Sequence, residues 1–280
     1  MCAANPKALI FDLDDTLVVE KASAEAAFLR TCELARQRHG IDPEALHATL
    51  RRICRSIWHN APARDYCVRI GISSWEGLWA RFHGRDESLQ ILRAWAPRYR
   101  RDSWLGALRE HGVDDEAFAA ELAETFPVHR RELHVVYDDV RPTLEHFGRS
   151  HRLGLLTNGA PDLQREKIEG AGIARYFDDI VISGDVGVGK PNPRIYEIML
   201  SRLKATPDET VMIGNSLTSD VTGPQAVGIK AVWLNRAGDA RRDGVVPDLE
   251  VADLNEFRRA FDRSLWEEDT DYDRALQNGD

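Results

Sequence analysis

The hydrophobic pattern divides the chain into two kinds of segment. Leu9, Ile10 and Phe11 are three consecutive large apolar residues, the pattern of a strand buried on both faces of a parallel sheet. From about Thr16 to Tyr137 the period becomes helical. Ser23 can cap a helix carrying Ala27, Phe28, Leu34 and Ala35 that stops at Gly40. Asp42-Pro43 opens a second, with Leu46, Leu50, Ile53, Cys54, Ile57 and Trp58 as its stripe. Ser73 to Glu76 fits a capping box ahead of a helix over Leu78, Trp79 and Phe82 that ends at Gly84. Further helices are expected over 87–95, 98–111 and 115–125.

After Val135 short apolar runs alternate with helical patterns. Helices are expected over 142–150, 161–170, 193–204, 219–227 and 255–261, and strands over 153–156, 180–182, 210–213 and 231–234. Uniformly apolar strands alternating with helices predict a doubly wound, Rossmann-like parallel sheet, an α/β fold. Its core would comprise residues 1–17 and 138–262. An all-helical insert over 18–137 would interrupt it, and an acidic tail over 263–280 would follow. Ligands of open α/β sheets lie beyond the carboxyl ends of the strands, and the polar clusters of this chain fall there.

The first cluster follows the first strand directly. Asp12 and Asp14 are two residues apart, so strand periodicity points both carboxylates at one small volume. That costs free energy unless a cation, a substrate or a proton compensates it; the alternative is a solvated acidic turn. After the strand over 153–156 comes Thr157-Asn158-Gly159, which can present N–H groups to an anion or simply cap a helix. Residues 184–191, Gly-Asp-Val-Gly-Val-Gly-Lys-Pro, hold Lys190 in a Gly/Pro frame without the spacing of a nucleotide-binding P-loop. Asn215, Ser216 and Asp220 follow the strand over 210–213. Alone, Asp220 is also what a helix dipole favours in a first turn.

Composition narrows the class. The 280 residues are 43% hydrophobic and 30% charged, ordinary for a globular protein with a full core. A net charge of −9 argues against nucleic acid as a partner, whose footprint is a basic patch. Cys2, Cys32, Cys54 and Cys67 form no CxxC pair and read as free thiols of a reducing compartment. No apolar run approaches the ~18 residues of a membrane span, and no signal-like segment opens the chain. A cytoplasmic protein with no membrane partner is expected, either monomer or homodimer.

In order, Asp12-x-Asp14-x-Thr16, Thr157-Asn158, Lys190-Pro191 and Gly214 to Asp220 resemble the four motifs of the haloacid dehalogenase (HAD) superfamily, and the helical insert resembles the cap of its first cap subclass. The resemblance implies a Mg²⁺-dependent phosphatase acting on a small-molecule phosphate ester. Asp12 would be the nucleophile, forming an aspartyl-phosphate, and Asp14 the general acid and base. Thr157 and Asn158 would bind the phosphoryl group and Lys190 would neutralise it. Thr16 is grouped with these binding residues as the brace of the first motif. Mg²⁺ would be held by Asp12, the Asp14 carbonyl, Asn215 and Asp220. The family's phosphatases usually carry Asp where this chain has Asn215, so Asp220 would take more of the metal binding, directly or through water. Alternatives within the fold are a 2-haloacid dehalogenase, against which Asp14 speaks, and a phosphoglucomutase-like phosphotransferase. A non-catalytic ligand-binding protein is a further alternative. The tryptophans of the insert, Trp58, Trp75, Trp79, Trp95 and Trp104, are expected to pack helices together rather than stack on a nucleotide.

Overall fold

The structure is a computed structural model that describes residues 6–241 and 244–262; the acidic tail expected over 263–280 lies outside these. Among the described residues the sheet has six strands: β1 Ala8–Phe11, β2 Arg152–Thr157, β3 Asp179–Ile182, β4 Thr210–Gly214, β5 Lys230–Leu234 and β6 Leu249–Val251. Their order is β3-β2-β1-β4-β5-β6, and every pairing is parallel. β1 is fully buried. Leu9 and Phe11 pack on one face with Val140, Leu144 and Phe147, and Ala8 and Ile10 on the other with Ile195, Tyr196 and Met199. This is the doubly wound α/β fold, and the two-sided apolar run encodes it.

Register decides where the chemistry goes. Phe11 pairs with Leu155 on one side and Ile213 on the other, and Thr157 pairs with Ile182. The strands therefore finish at nearly one level, so Asp12, Asn158 and Asn215 begin loops, and Ser183 a short helix, at the same edge.

Five helices separate β1 from the rest of the sheet: α1 Lys21–His39, α2 Pro43–His59, α3 Arg64–Ile70, α4 Glu87–Glu110 and α5 Glu116–Arg131. They enclose their own core, in which Phe28, Leu50, Trp58, Trp79, Trp104 and Phe126 are buried. Covering the sheet are α6 Val140–Phe147, α7 Pro161–Ala171, α8 Ser183–Val186, α9 Pro193–Leu203, α10 Gly223–Gln225 and α11 Leu254–Asp262. Among the described residues Cys32, Cys54 and Cys67 are free and buried, and no helix is long and apolar enough to cross a membrane.

Several local expectations are corrected. Ser23 does not cap α1, which starts at Lys21. Asp15 does so instead, its Oδ1 accepting from the Glu20 and Lys21 N–H groups at 2.9 and 3.0 Å. A left-handed backbone (φ 55°) allows Asp15 to face that helix. The capping box at 73–76 forms, with Ser73 Oγ donating to Glu76 Oε2 at 2.7 Å, but it caps a single 3₁₀ turn, Glu76–Leu78. The helices expected over 87–95 and 98–111 are one, α4, running through Pro97. Burial of Leu92, Ala96, Tyr99 and Trp104 against the neighbouring helices outweighs the one hydrogen bond that proline removes. The helix expected over 219–227 begins as a π-helical turn, Leu217–Thr222, before α10. α3, α8 and β6 were not expected from the pattern.

Candidate active site

Asp12 leaves β1 with its N–H donated to Ile213 O at 2.9 Å. Its carboxylate turns into the edge of the sheet. Oδ2 accepts from Thr16 Oγ1 at 3.0 Å, and Oδ1 lies 2.6 Å from Lys190 Nζ. The same ammonium is 2.7 Å from Asp220 Oδ1, and Asp220 Oδ2 accepts from the Ser216 N–H at 2.9 Å. Three residues far apart in sequence thus form a buried carboxylate–ammonium–carboxylate row. Burial pushes the Asp12 carboxyl up to about 7, against the pull of Lys190 and with the push of Asp220. Burial works against the Lys190 charge too, but Asp12 and Asp220 outweigh it and hold the ammonium above its ordinary value.

Lys190 is held by the second motif. The Asn158 side chain accepts from the Lys190 N–H at 2.8 Å and donates to its carbonyl at 2.9 Å. Gly189 is required here, since a Cβ would sit 2.9 Å from both Arg69 O and Asn158 Oδ1. Thr16 is fully buried and spends its hydroxyl on Asp12, so it braces the first loop and offers no face to a ligand. Its carbonyl accepts from Arg236 at 3.1 Å, and Arg236 is clamped by both Asp139 oxygens.

Asp14 faces the other way. Its oxygens lie 3.0 and 3.1 Å from Lys167 Nζ, and Oδ2 accepts from Gln164 Nε2 at 3.0 Å. Gln164 Nε2 also donates to Thr157 Oγ1 at 2.6 Å. Lys167 further meets Glu20 Oε1 at 2.9 Å and Glu76 Oε1 at 3.3 Å, and Glu20 pairs with Arg130 through its second oxygen. Burial raises Glu20 to about 7, opposed by Lys167. Lys167 is held above its ordinary value by Asp14, Glu20 and Glu76 in spite of burial.

A cavity of 310 Å³ brings the sequence-predicted residues together: Asp12, Asp14, Thr157, Asn158, Lys190, Asn215 and Asp220 line it, with Ser73, Trp75 and Glu76 from the helical insert. A larger cavity of 560 Å³ shares Asp15 and Asn215 but touches neither Asp12, Asp14 nor Lys190, so the smaller one is the candidate site. Sequence reasoning missed Gln164, Lys167, Glu76, Glu20, Arg130 and Arg236. The spacing of Gln164 and Lys167 puts them on one helix face, but nothing local says that this face is inside.

The donor set can be weighed for a hard cation. Among the described residues no group of three or more His, Cys, Asp or Glu is arranged to hold a metal ion. Asp220, expected to take up metal binding, has both oxygens engaged by Lys190 and Ser216. What remains is oxygen chemistry of lower charge: Asp12, and the exposed Asn215 at the same cavity. Hydrogen bonding from Trp233 Nε1 to Asn215 O at 2.9 Å holds that loop. Oxygen donors suit Mg²⁺, which binds through one or two carboxylates and keeps several waters. Asp12, whose oxygens also meet Lys190 and Thr16, and Asn215 supply oxygen donors of the kind such an ion takes.

The raised Asp12 carboxyl makes a stability prediction. A carboxyl lifted on folding from 3.8 to about 7 contributes stability that is whole below its unfolded value and is lost as pH rises through 7. In EDTA, Asp12→Asn is expected to melt above the wild type at pH 8, by on the order of 1 kcal/mol or more, with the gap closing toward pH 5. Equal melting at pH 8 would show that no charge is buried at Asp12.

Three comparisons bear on this arrangement. A protein-family model described as haloacid dehalogenase-like hydrolase matches residues 6–228. The chain is 38% identical over 251 residues to the phosphoserine phosphatase of Thermus thermophilus, covering 89% of this chain and 97% of that one. Among solved structures it is similar to the magnesium-bound HAD-hydrolase YfnB of Bacillus subtilis, with a TM-score of 0.63 at 22% identity, covering 92% of this chain and 99% of that one. It is also similar to a 2-haloacid dehalogenase from Pseudomonas syringae, with a TM-score of 0.59 at 26% identity, covering 92% and 99%.

Proposed function

The chain belongs to the haloacid dehalogenase-like hydrolases, and from that premise we propose that it is a phosphatase of small phosphomonoesters working through an aspartyl-phosphate on Asp12. The observation that carries this reading is Asp14. A second carboxyl lines the same 310 Å³ cavity as the Asp12–Lys190 pair. An alkoxide leaving from phosphorus needs a proton, whereas a halide leaving from carbon needs none. Asp14 therefore favours the phosphatase over the dehalogenase.

The chemistry runs in two displacements. An Asp12 carboxylate oxygen attacks phosphorus, the ester P–O bond breaks, and its electron pair stays on the leaving oxygen, which takes the proton of the Asp14 carboxyl. Water then attacks the phosphorus of the aspartyl-phosphate and gives a proton to the Asp14 carboxylate. The P–O bond to Asp12 breaks, releasing inorganic phosphate and the free carboxylate. Lys190 offsets the charge of the phosphoryl oxygens, and Thr157 with the Asn158 backbone orients them. Mg²⁺, when bound, would add charge neutralisation at those oxygens, held by Asp12, the Asp14 carbonyl and Asn215, with Asp220 behind Lys190. The size of the cavity favours a small alcohol, and phosphoserine is the first substrate to try, on the strength of the Thermus thermophilus relative.

The test is hydrolysis of p-nitrophenyl phosphate and phosphoserine with added Mg²⁺ and with EDTA. Turnover with the metal that drops at least about a hundredfold in EDTA and returns with Mg²⁺ supports the reading. Undiminished turnover in EDTA removes the metal from it. No turnover of either ester, with any divalent ion, defeats the phosphatase reading.

A further inference from the structure

Two side chains that this chemistry does not use converge on Asp14, and a third, Glu76, meets one of them. Gln164 and Lys167 reach it from one face of α7. Gln164 Nε2 spans Asp14 Oδ2 at 3.0 Å and Thr157 Oγ1 at 2.6 Å, so the proton donor and the phosphoryl-binding hydroxyl share one amide. The Lys167 ammonium spans both Asp14 oxygens. From the helical insert comes Glu76, on its 3₁₀ turn, whose Oε1 is 3.3 Å from Lys167 Nζ. Its other oxygen is held by the Ser73 N–H at 2.9 Å and the Ser73 hydroxyl.

The Lys167 ammonium has three N–H donors, and three carboxylates surround it: Asp14, Glu20 and Glu76. Its side chain is 1% exposed, and the rings of Trp75 and Trp79 lie 5.8 and 6.0 Å from Nζ. Its hydrogen bonds run to Asp14 and Glu76, with Glu20 beside it as an ion pair, so the ammonium is fixed in place while Glu76 is present and has a direction to relax into without it. A buried network of three carboxyl groups with Lys167 and Arg130 is a poor way to gain stability, because desolvation offsets the attraction. Its use lies in position.

We propose that Gln164 and Lys167 are positioning residues that hold the Asp14 carboxyl toward the leaving oxygen, and that Glu76 makes this hold depend on the turn Glu76–Leu78 of the helical insert being seated over the site. The inference rests on the reading of Asp14 as general acid. It makes proton delivery to the leaving group, rather than phosphoryl binding alone, a property shared between the sheet and the insert.

The measurement is kcat/KM for phenyl phosphate and p-nitrophenyl phosphate, two esters of nearly one shape. Phenoxide, with the basicity of a tyrosine side chain, needs a proton to leave, and p-nitrophenoxide scarcely does. Because kcat/KM reports the reaction through the first irreversible step, the ratio of the two esters isolates proton delivery. Asp14→Asn sets the reference, lowering the phenyl to p-nitrophenyl ratio by about a hundredfold, the ordinary worth of a positioned acid. Gln164→Leu and Lys167→Gln are expected to lower it at least about tenfold, and Glu76→Gln at least about threefold. A parallel fall for both esters, or an unchanged ratio, in Gln164→Leu and Lys167→Gln overturns the proposal as a merely structural effect. An unchanged ratio in Glu76→Gln alone overturns the dependence on the insert. Should Lys167→Gln fail to fold, Gln164→Leu decides, since it removes no charge. A wild type inactive on both esters defeats the phosphatase reading instead, and an unmoved ratio in Asp14→Asn defeats the role of Asp14. The failures are therefore distinguishable.

Discussion

Asp12→Asn is expected to lower kcat for p-nitrophenyl phosphate at least about a thousandfold, equivalent to ~4 kcal/mol of barrier. The substitution keeps the shape of the side chain and one oxygen for Lys190, and the amide nitrogen takes the place of the oxygen that accepted from Thr16. It removes the anionic oxygen that would attack phosphorus in the proposed chemistry, and an amide is no substitute for it. Binding of the ester should survive, because Lys190, Thr157 and the Asn158 loop are untouched. A large loss in kcat with little change in KM is thus the signature. Acid-quenched wild type under turnover should carry phosphate on the peptide containing Asp12, and the variant none. Phosphate found on the peptide but persisting in Asp12→Asn would transfer the nucleophile to another residue, and activity within about tenfold of wild type would remove covalent catalysis at this position.

Lys190→Met is expected to fail in two ways that can be separated. The ammonium lies 2.6 Å from Asp12 and 2.7 Å from Asp220, and both carboxylates are buried. Without the cation the two cannot both stay ionised, since like charges at close range drive one pKa upward. Removing one partner of a buried pair typically costs 3–5 kcal/mol, so melting should fall by about that much. Activity should fall at least about a hundredfold as well, through the lost charge at the phosphoryl oxygens. Adding Asp220→Asn removes the surplus anion. The double variant should recover most of the stability and none of the activity. If both recover, Lys190 only holds the fold; if neither does, Asp220 has a role beyond holding Lys190.

Much of this was legible in the chain, and the reason differs residue by residue. Asp12 stood out because an apolar run that must be a buried strand ends in a carboxylate, and β1 obeys that pattern on both faces. The residue types at Thr157, Asn158 and Lys190 were legible from Gly and Pro neighbours, and register brings them to one cavity. Asp42 and Gly40 act as read, because caps are local: one accepts from the Ala45 N–H at 2.9 Å, the other turns left-handed. Ser23 failed as a cap for the opposite reason, since Asp15 reaches α1 from outside the helix. The 73–76 box forms, yet only a single 3₁₀ turn follows it. Gly77 sits where a Cβ would meet the Trp58 ring at 2.4 Å, a contact made between distant segments.

The sequence by itself determined the parallel α/β sheet, the helical insert and the kinds of side chain at each strand end. These depend on periodicity and on caps and turns, which act over a few residues. Only the tertiary structure decided what each of those side chains does. Whether Lys190 bridges Asp12 and Asp220, whether Asp220 is free for a metal, and whether Lys167 is a surface lysine or the hub of three carboxylates all depend on which faces become buried. Burial strengthens every charge pair and makes every unpaired charge costly. The residues brought together by packing, rather than those adjacent in the chain, therefore set the chemistry of the site.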